Sequence, residues 1–189
     1  LGPVIPAGGP PWWQDRRDEL QRIAHERGSA YVYHRASSEL AARQLLAIRG
    51  VDRIFYAMKA NPHPELLKTF AGLGLSFECV SRGECEHVMK VVPGIDPSRI
   101  LFTPNFAPRS EYEWALEQGV HLTIDNLYAL REWGELFRDR DVLIRIDTGF
   151  GRGHHDHVRT AGVHSKFGVP LFEMDEVERL VNLVGARVV

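Results

Sequence analysis

The hydrophobic positions of this chain follow two different rhythms. From Trp12 to Arg27, the residues Trp13, Leu20, Ile23 and Ala24 suit one face of a helix, and Gly28 suits its C-terminal stop. Tyr31-Val32-Tyr33 is rich in strand formers. Ser37 or Ser38 is placed to cap a helix that runs through Ile48 and closes at Gly50. After Gly50 the rhythm changes. Apolar runs at Ile54–Met58, Leu75–Cys79, Ile100–Phe102, His121–Ile124 and Val142–Ile146 read as strands buried on both faces. Between them, Pro64–Ala71, Gly83–Val91, Arg109–Gln118 and Leu127–Arg138 read as helices. A last helix over Leu171–Leu183 leads to a strand-like Ala186–Val189. Strand and helix alternating about every two dozen residues is the βα unit of a parallel sheet. Six such strands are expected, where a closed α/β barrel has about eight.

Composition narrows the classes. In 189 residues, 44% are hydrophobic and 25% charged, ordinary for a globular domain, and the formal net charge of −2 gives no electrostatic case for nucleic acid or an anionic membrane surface. No apolar run approaches the roughly 20 residues that span a bilayer. The first residues carry no basic segment followed by an apolar one, so they do not read as a signal peptide. Cys79 and Cys85 are too few for a disulfide scaffold and fit a reducing cytoplasm. Residues 1–11 hold four of the eleven prolines and read as a linker or entry arm. The chain begins with Leu1 and ends on a nascent strand, which reads as a fragment of a longer polypeptide.

The polar residues fall in register with the strands. Lys59, Glu78, Thr103 with Asn105, Asp125 and Asp147 each stand at or just past the C-terminal end of an expected strand, the face where α/β barrels hold their sites. Strand ends are also simply exposed, so no one of these residues is decisive. The set, with a lysine in it, points to a site. A lysine directly after an apolar run is expected to be partly buried, a setting that favours the free amine as nucleophile.

The segment Tyr56-Ala57-Met58-Lys59-Ala60-Asn61 resembles the cofactor-lysine motif of the fold type III pyridoxal-phosphate enzymes, among them the diaminopimelate, ornithine and arginine decarboxylases. Several further stretches resemble the same family in the same order. Ala30-Tyr31-Val32-Tyr33 is similar to its short N-terminal strand, with His34 where Asp is more usual. Leu75-Ser76-Phe77-Glu78-Cys79-Val80-Ser81-Arg82-Gly83-Glu84 is similar to its second strand and turn, with Glu78 where Asp is commoner. Phe102-Thr103-Pro104-Asn105-Phe106 and Leu143-Ile144-Arg145-Ile146 are similar to two later strands. His155-Asp156-His157, Thr160-Ala161-Gly162 and Ser165-Lys166-Phe167-Gly168 resemble the diaminopimelate decarboxylase branch in particular. The resemblance covers about residues 12–189, the expected N-terminal part of the cofactor-binding barrel.

The resemblance implies an α/β fold, a (β/α)8 TIM barrel of the alanine racemase/decarboxylase type, incomplete in this chain. It implies pyridoxal 5'-phosphate as cofactor, held by Lys59 as a Schiff base, with Glu78 near the lysine and Arg145 near the cofactor ring. Glu84 and Lys166 match further positions of the family's site. It implies decarboxylation of meso-2,6-diaminopimelate to L-lysine, a small-molecule amino-acid substrate, and sites completed across a homodimer. The family's His-x-Gly-Ser segment, its glycine-rich phosphate loop, the acid that meets the pyridine nitrogen and a C-terminal β-domain are expected after Val189, so the fragment alone is expected to be inactive. The arm before Trp12 resembles the junction of bifunctional proteins that join an aspartate kinase to such a decarboxylase.

Other readings stand beside this one. The substrate is alternatively arginine, ornithine or carboxynorspermidine. The chain is alternatively a non-catalytic pyridoxal-phosphate-binding barrel protein, or a plain α/β scaffold in which Lys59 is structural. His154, His155, His157 and His164 with Asp156 lack the spacing of a helical metal pair and read as a solvated loop, so no metal is expected. Gly149, Gly151 and Gly153 lack the lysine of a phosphate loop and read as a flexible turn.

Overall fold

A computed structural model describes residues 11–149 and 166–189. The chain divides into two compact units, Leu1–Asp52 and Arg53–Val189. Most of the entry arm, the histidines between 154 and 164, Gly151, Gly153 and Ser165 lie outside the described residues.

Among the described residues, the first unit carries three helices. The expected helix over 12–27 is two, α1 (Trp12–Asp15) and α2 (Arg17–Arg27), because Arg16 leaves helical geometry at φ −112° and ψ 21°. Helix α3 (Arg35–Leu46) starts ahead of Ser37. His34 stands at its N-cap and its ring Nδ1 meets the Ser37 hydroxyl at 2.9 Å. The Trp12 and His34 rings stack at 4.8 Å. Tyr31-Val32-Tyr33 forms no strand among the described residues. Strand propensity needs a ladder partner to be realised, and none of the described strands pairs with this segment.

Among its described residues, the second unit is built on six parallel strands. These are β1 (Phe55–Ala57), β2 (Ser76–Cys79), β3 (Ile100–Phe102), β4 (His121–Ile124), β5 (Asp141–Ile144) and β8 (Arg187–Val188), hydrogen-bonded in that order. Each strand is added beside the one before it in the chain. That is the winding of an α/β barrel rather than of a doubly wound sheet, whose order reverses at a switch point. Between them run α4 (Pro64–Leu73), α5 (Arg82–Val91), α6 (Arg109–Gln118), α7 (Leu127–Glu132) and α8 (Met174–Val184). A short parallel pair, β6 (Ile146–Asp147) with β7 (Val169–Pro170), stands apart from the main sheet.

The helix signals in the sequence act as written. Pro64 opens α4 while the His63 ring accepts from the Glu65 N–H at 3.3 Å. Gly74 closes it at φ +101°, turning the chain so that the Leu75 N–H reaches the Phe70 carbonyl at 3.0 Å. One face of the sheet is sealed: Phe77, Cys79, Ile100, Phe102, Leu122, Ile124 and Val142 have no exposed surface, while Glu78 and Leu101 on the other face are half-buried. Leu67, Val88, Tyr112, Ala115, Leu130 and Phe137 cover them from the helices and the turn after α7. Cys79 and Cys85 are both free and buried. Their mutual hydrogen bond, with burial, pushes the Cys79 thiol far up, so it stays protonated.

Candidate active site

The parallel winding brings the C-terminal ends of β1 to β5 onto one edge of the sheet. Lys59 stands in the single 3-10 turn Met58–Ala60 that ends β1. Met58, 2% exposed, plugs that turn into the core. The Tyr56 hydroxyl donates to the Asn61 carbonyl at 3.3 Å, and the Asn61 side chain accepts from the His63 N–H at 3.0 Å. The turn is therefore tied at both ends while Lys59 itself is exposed, not partly buried as expected from its place after an apolar run. Turning the chain out of the strand one residue early lifts the amine clear of the core. Among the described residues, no carboxylate pairs with it.

Glu78 sits half-buried in β2, paired in register with Ala57 of β1 and Leu101 of β3. Its carboxylate accepts the hydroxyl of Thr103, the residue just past β3. Thr103 is fixed in turn through its N–H, 2.8 Å from the Cys79 carbonyl. Glu84 has a different task. Its Oε2 accepts the Val80 N–H at 2.7 Å, while its own N–H donates to the Ser81 hydroxyl at 3.3 Å. That is a capping arrangement at the start of α5, legible in the spacing Ser81-x-x-Glu84.

The most connected group on this edge is Asp125, which follows β4 and is 1% exposed. Its Oδ2 accepts Asn105 Nδ2 at 2.6 Å. Its Oδ1 accepts Arg145 Nη1 at 3.4 Å and the Gly168 N–H at 3.3 Å. Arg145 also lies over the Phe167 ring, with Cζ 4.4 Å from the centroid, and Lys166 approaches the same ring at 5.2 Å. Arg145 thus interrupts the expected strand over 142–146: its N–H pairs with Ile124 and its carbonyl with the Val169 N–H at 2.7 Å, which splits β5 from β6. Asp147, 7% exposed, accepts the Gly149 N–H at 2.8 Å.

One cavity of about 310 Å³ lies nearby, lined by Phe106, Ala107, Tyr112, Asn126, Tyr128 and Trp133. Aromatic rings make up most of its wall, and its Asn126 side chain is spent on capping α7 at the Tyr128 N–H. Neither Lys59, Glu78 nor Arg145 lines it. No group of three or more potential metal ligands occurs among the described residues.

Residues 38–189 match the family described as pyridoxal-dependent decarboxylase, pyridoxal binding domain. This chain belongs to that family. Its pyridoxal-binding domains have relatives with two substrates here. The diaminopimelate decarboxylase of Methanothermobacter thermautotrophicus is 34% identical over 134 residues, covering 70% of this chain and 31% of that protein. The ornithine decarboxylase of Neurospora crassa is 34% identical over 136 residues, covering 71% of this chain and 26% of that protein. A crystal structure of diaminopimelate decarboxylase matches with a TM-score of 0.77 over 91% of this chain and 41% of the other, at 24% identity, a likeness of fold. The chain spans about a third or less of the length of these curated relatives.

The side chains on the sheet edge suit pyridoxal phosphate. Its aldehyde needs an accessible primary amine, which Lys59 offers, and its phenolate and phosphate oxygens call for cations. Arg145 keeps 32% of its side chain exposed while one nitrogen is held by Asp125. Asp125 and Thr103 are the residues whose contacts the sequence did not announce, since their partners lie 20 to 43 positions away.

Proposed function

We propose that this chain supplies the cofactor-lysine part of a pyridoxal-phosphate-dependent decarboxylase of basic amino acids, with meso-2,6-diaminopimelate as substrate and L-lysine as product. The observation that carries the proposal is an exposed Lys59, unpaired among the described residues, on the same sheet edge as Glu78 and Arg145. Lys59 holds the cofactor. Glu78, oriented by the Thr103 hydroxyl, sets the charge beside the neighbouring strand end and stands ready to hold a proton. Arg145 presents a fixed cation, and the Lys166 side chain adds a second positive charge near it. Bound pyridoxal phosphate supplies the electron sink for the carbanion left when carbon dioxide departs. Glu84 belongs to the support of this edge, through the turn before α5. A second reading, ornithine as substrate, is favoured by the equal identity of the Neurospora crassa relative.

The test is a titration of the complete protein with pyridoxal phosphate, followed by borohydride reduction and peptide mapping. The label is expected on the peptide containing Lys59, and the protein-bound absorption band is expected to vanish in Lys59→Ala. A band that survives that substitution overturns the assignment. Carbon dioxide release from diaminopimelate set against ornithine decides the substrate, and residues 1–189 alone are expected to release none from either.

A further inference from the structure

We infer that Asp125 is a positioning residue of the cofactor site, orienting the Arg145 guanidinium and locking three strand-end segments into one edge. The inference rests on the reading of Arg145 as a cofactor-side cation. A carboxylate that is 1% exposed is costly to bury unless its oxygens are filled and its charge is met. Both conditions hold. Asn105 fills Oδ2, while Arg145 and the Gly168 N–H fill Oδ1. The three donors come from separate places: Asn105 follows β3, Arg145 follows β5, and Gly168 precedes β7. Asp125 follows β4, which lies between β3 and β5 in the sheet, so its carboxylate stands between the donors that follow those two strands.

A purely structural ion pair has no need of an accessible cation. Here the pair is lopsided: the carboxylate is sealed while the guanidinium remains 32% exposed. A guanidinium carries five N–H donors, and Asp125 engages one nitrogen. The Phe167 ring fixes the plane from one side at 4.4 Å. The remaining donors are thereby held in one orientation, which is the condition for a charged group to bind an anion without reorganising. The Asn105 amide secures the carboxylate, and also reaches the Lys166 carbonyl at 3.4 Å, so the turn beside Arg145 is held by the same group.

The complete protein, wild type and variants, is titrated with pyridoxal phosphate by absorbance, and circular dichroism is recorded in the band of the bound cofactor. Asp125→Asn is expected to weaken the cofactor about tenfold, the scale of one charge-assisted hydrogen bond, and to diminish the dichroism. The double variant Asp125→Asn/Arg145→Met is expected to bind no more weakly than Arg145→Met alone, because the first acts through the second. Additive losses overturn the inference. So does an Asp125→Asn protein with wild-type affinity and dichroism, while a wild-type band that depends on Lys59 leaves the site assignment standing. A wild-type protein with no such band removes both readings. If Asp125→Asn does not fold, Asn105→Ala takes its place: it strips one donor from the carboxylate at a half-buried position and is expected to weaken the cofactor two- to fivefold, and no change there is equally fatal.

Discussion

Gly168 lies against the backbone of Asp147 so closely that a methyl group at 168 would sit 2.9 Å from the Asp147 nitrogen. It would also lie 3.1 Å from the Ile146 carbonyl carbon and 3.2 Å from the Arg145 oxygen, and all three are backbone atoms with little freedom to yield. The residue also holds φ at +80°, a region that side chains strain to enter. Gly168→Ala is therefore expected to cost about 2 to 4 kcal/mol, combining overpacking with left-handed strain. It should also loosen the Gly168 N–H from Asp125. Urea unfolding of the complete protein measures the first effect and cofactor affinity the second. A wild-type midpoint would mean that β6 and β7 separate without cost.

The apolar runs were enough to place the sheet. Phe55–Ala57, Ser76–Cys79, Ile100–Phe102 and His121–Ile124 fall within the runs read from sequence, because the face each turns to the helices is apolar: Phe77 and Cys79, Ile100 and Phe102, Leu122 and Ile124 are fully buried. Arg109–Gln118 matches its helix end to end, bounded by Pro108 and Gly119. What failed to show were features set by distant partners. Tyr31-Val32-Tyr33 has strand propensity but no ladder among the described residues. The run over 142–146 breaks at Arg145 because that carbonyl is taken by Val169, 24 positions away. Lys59 was legible as a residue type and a motif, yet not its exposure, which depends on the chain leaving β1 before Met58. Asp125 was visible as a polar strand end, but nothing local revealed three donors converging on it.

Glu84 separates a structural role from a cofactor role. Its carboxylate closes the turn between β2 and α5 through the Val80 N–H, and it lies in the first turn of the helix, where a negative charge is favoured. Glu84→Ala is expected to lower stability by about 1 kcal/mol. Glu84→Gln, which keeps the acceptor, should recover most of it. Melting of the cofactor-free protein checks this. A fall in cofactor affinity of both variants with unaltered melting would move Glu84 from the turn to the cofactor itself.

Tyr112 gives the edge a signature at alkaline pH. Burial first, then the negative charges of Asp125 and Glu111, push its phenol up to about 12. An unfolded tyrosine ionises near pH 10. The folded chain thus keeps the proton that the unfolded chain releases, and this contribution is fully present below about pH 10 and disappears as the pH rises from there through about 12. The amount at stake is on the order of 2 kcal/mol. Tyr112→Phe should remove this part of the alkaline destabilisation. Tyrosinate absorbance, taken as wild type minus Tyr112→Phe, should isolate one late titration among the five tyrosines. Asp125→Asn, by removing the nearby negative charge while leaving burial intact, should bring that titration partway down. A difference curve centred near pH 10 in the folded protein would show the ring to be in contact with water, and would detach Tyr112 from the charge of Asp125.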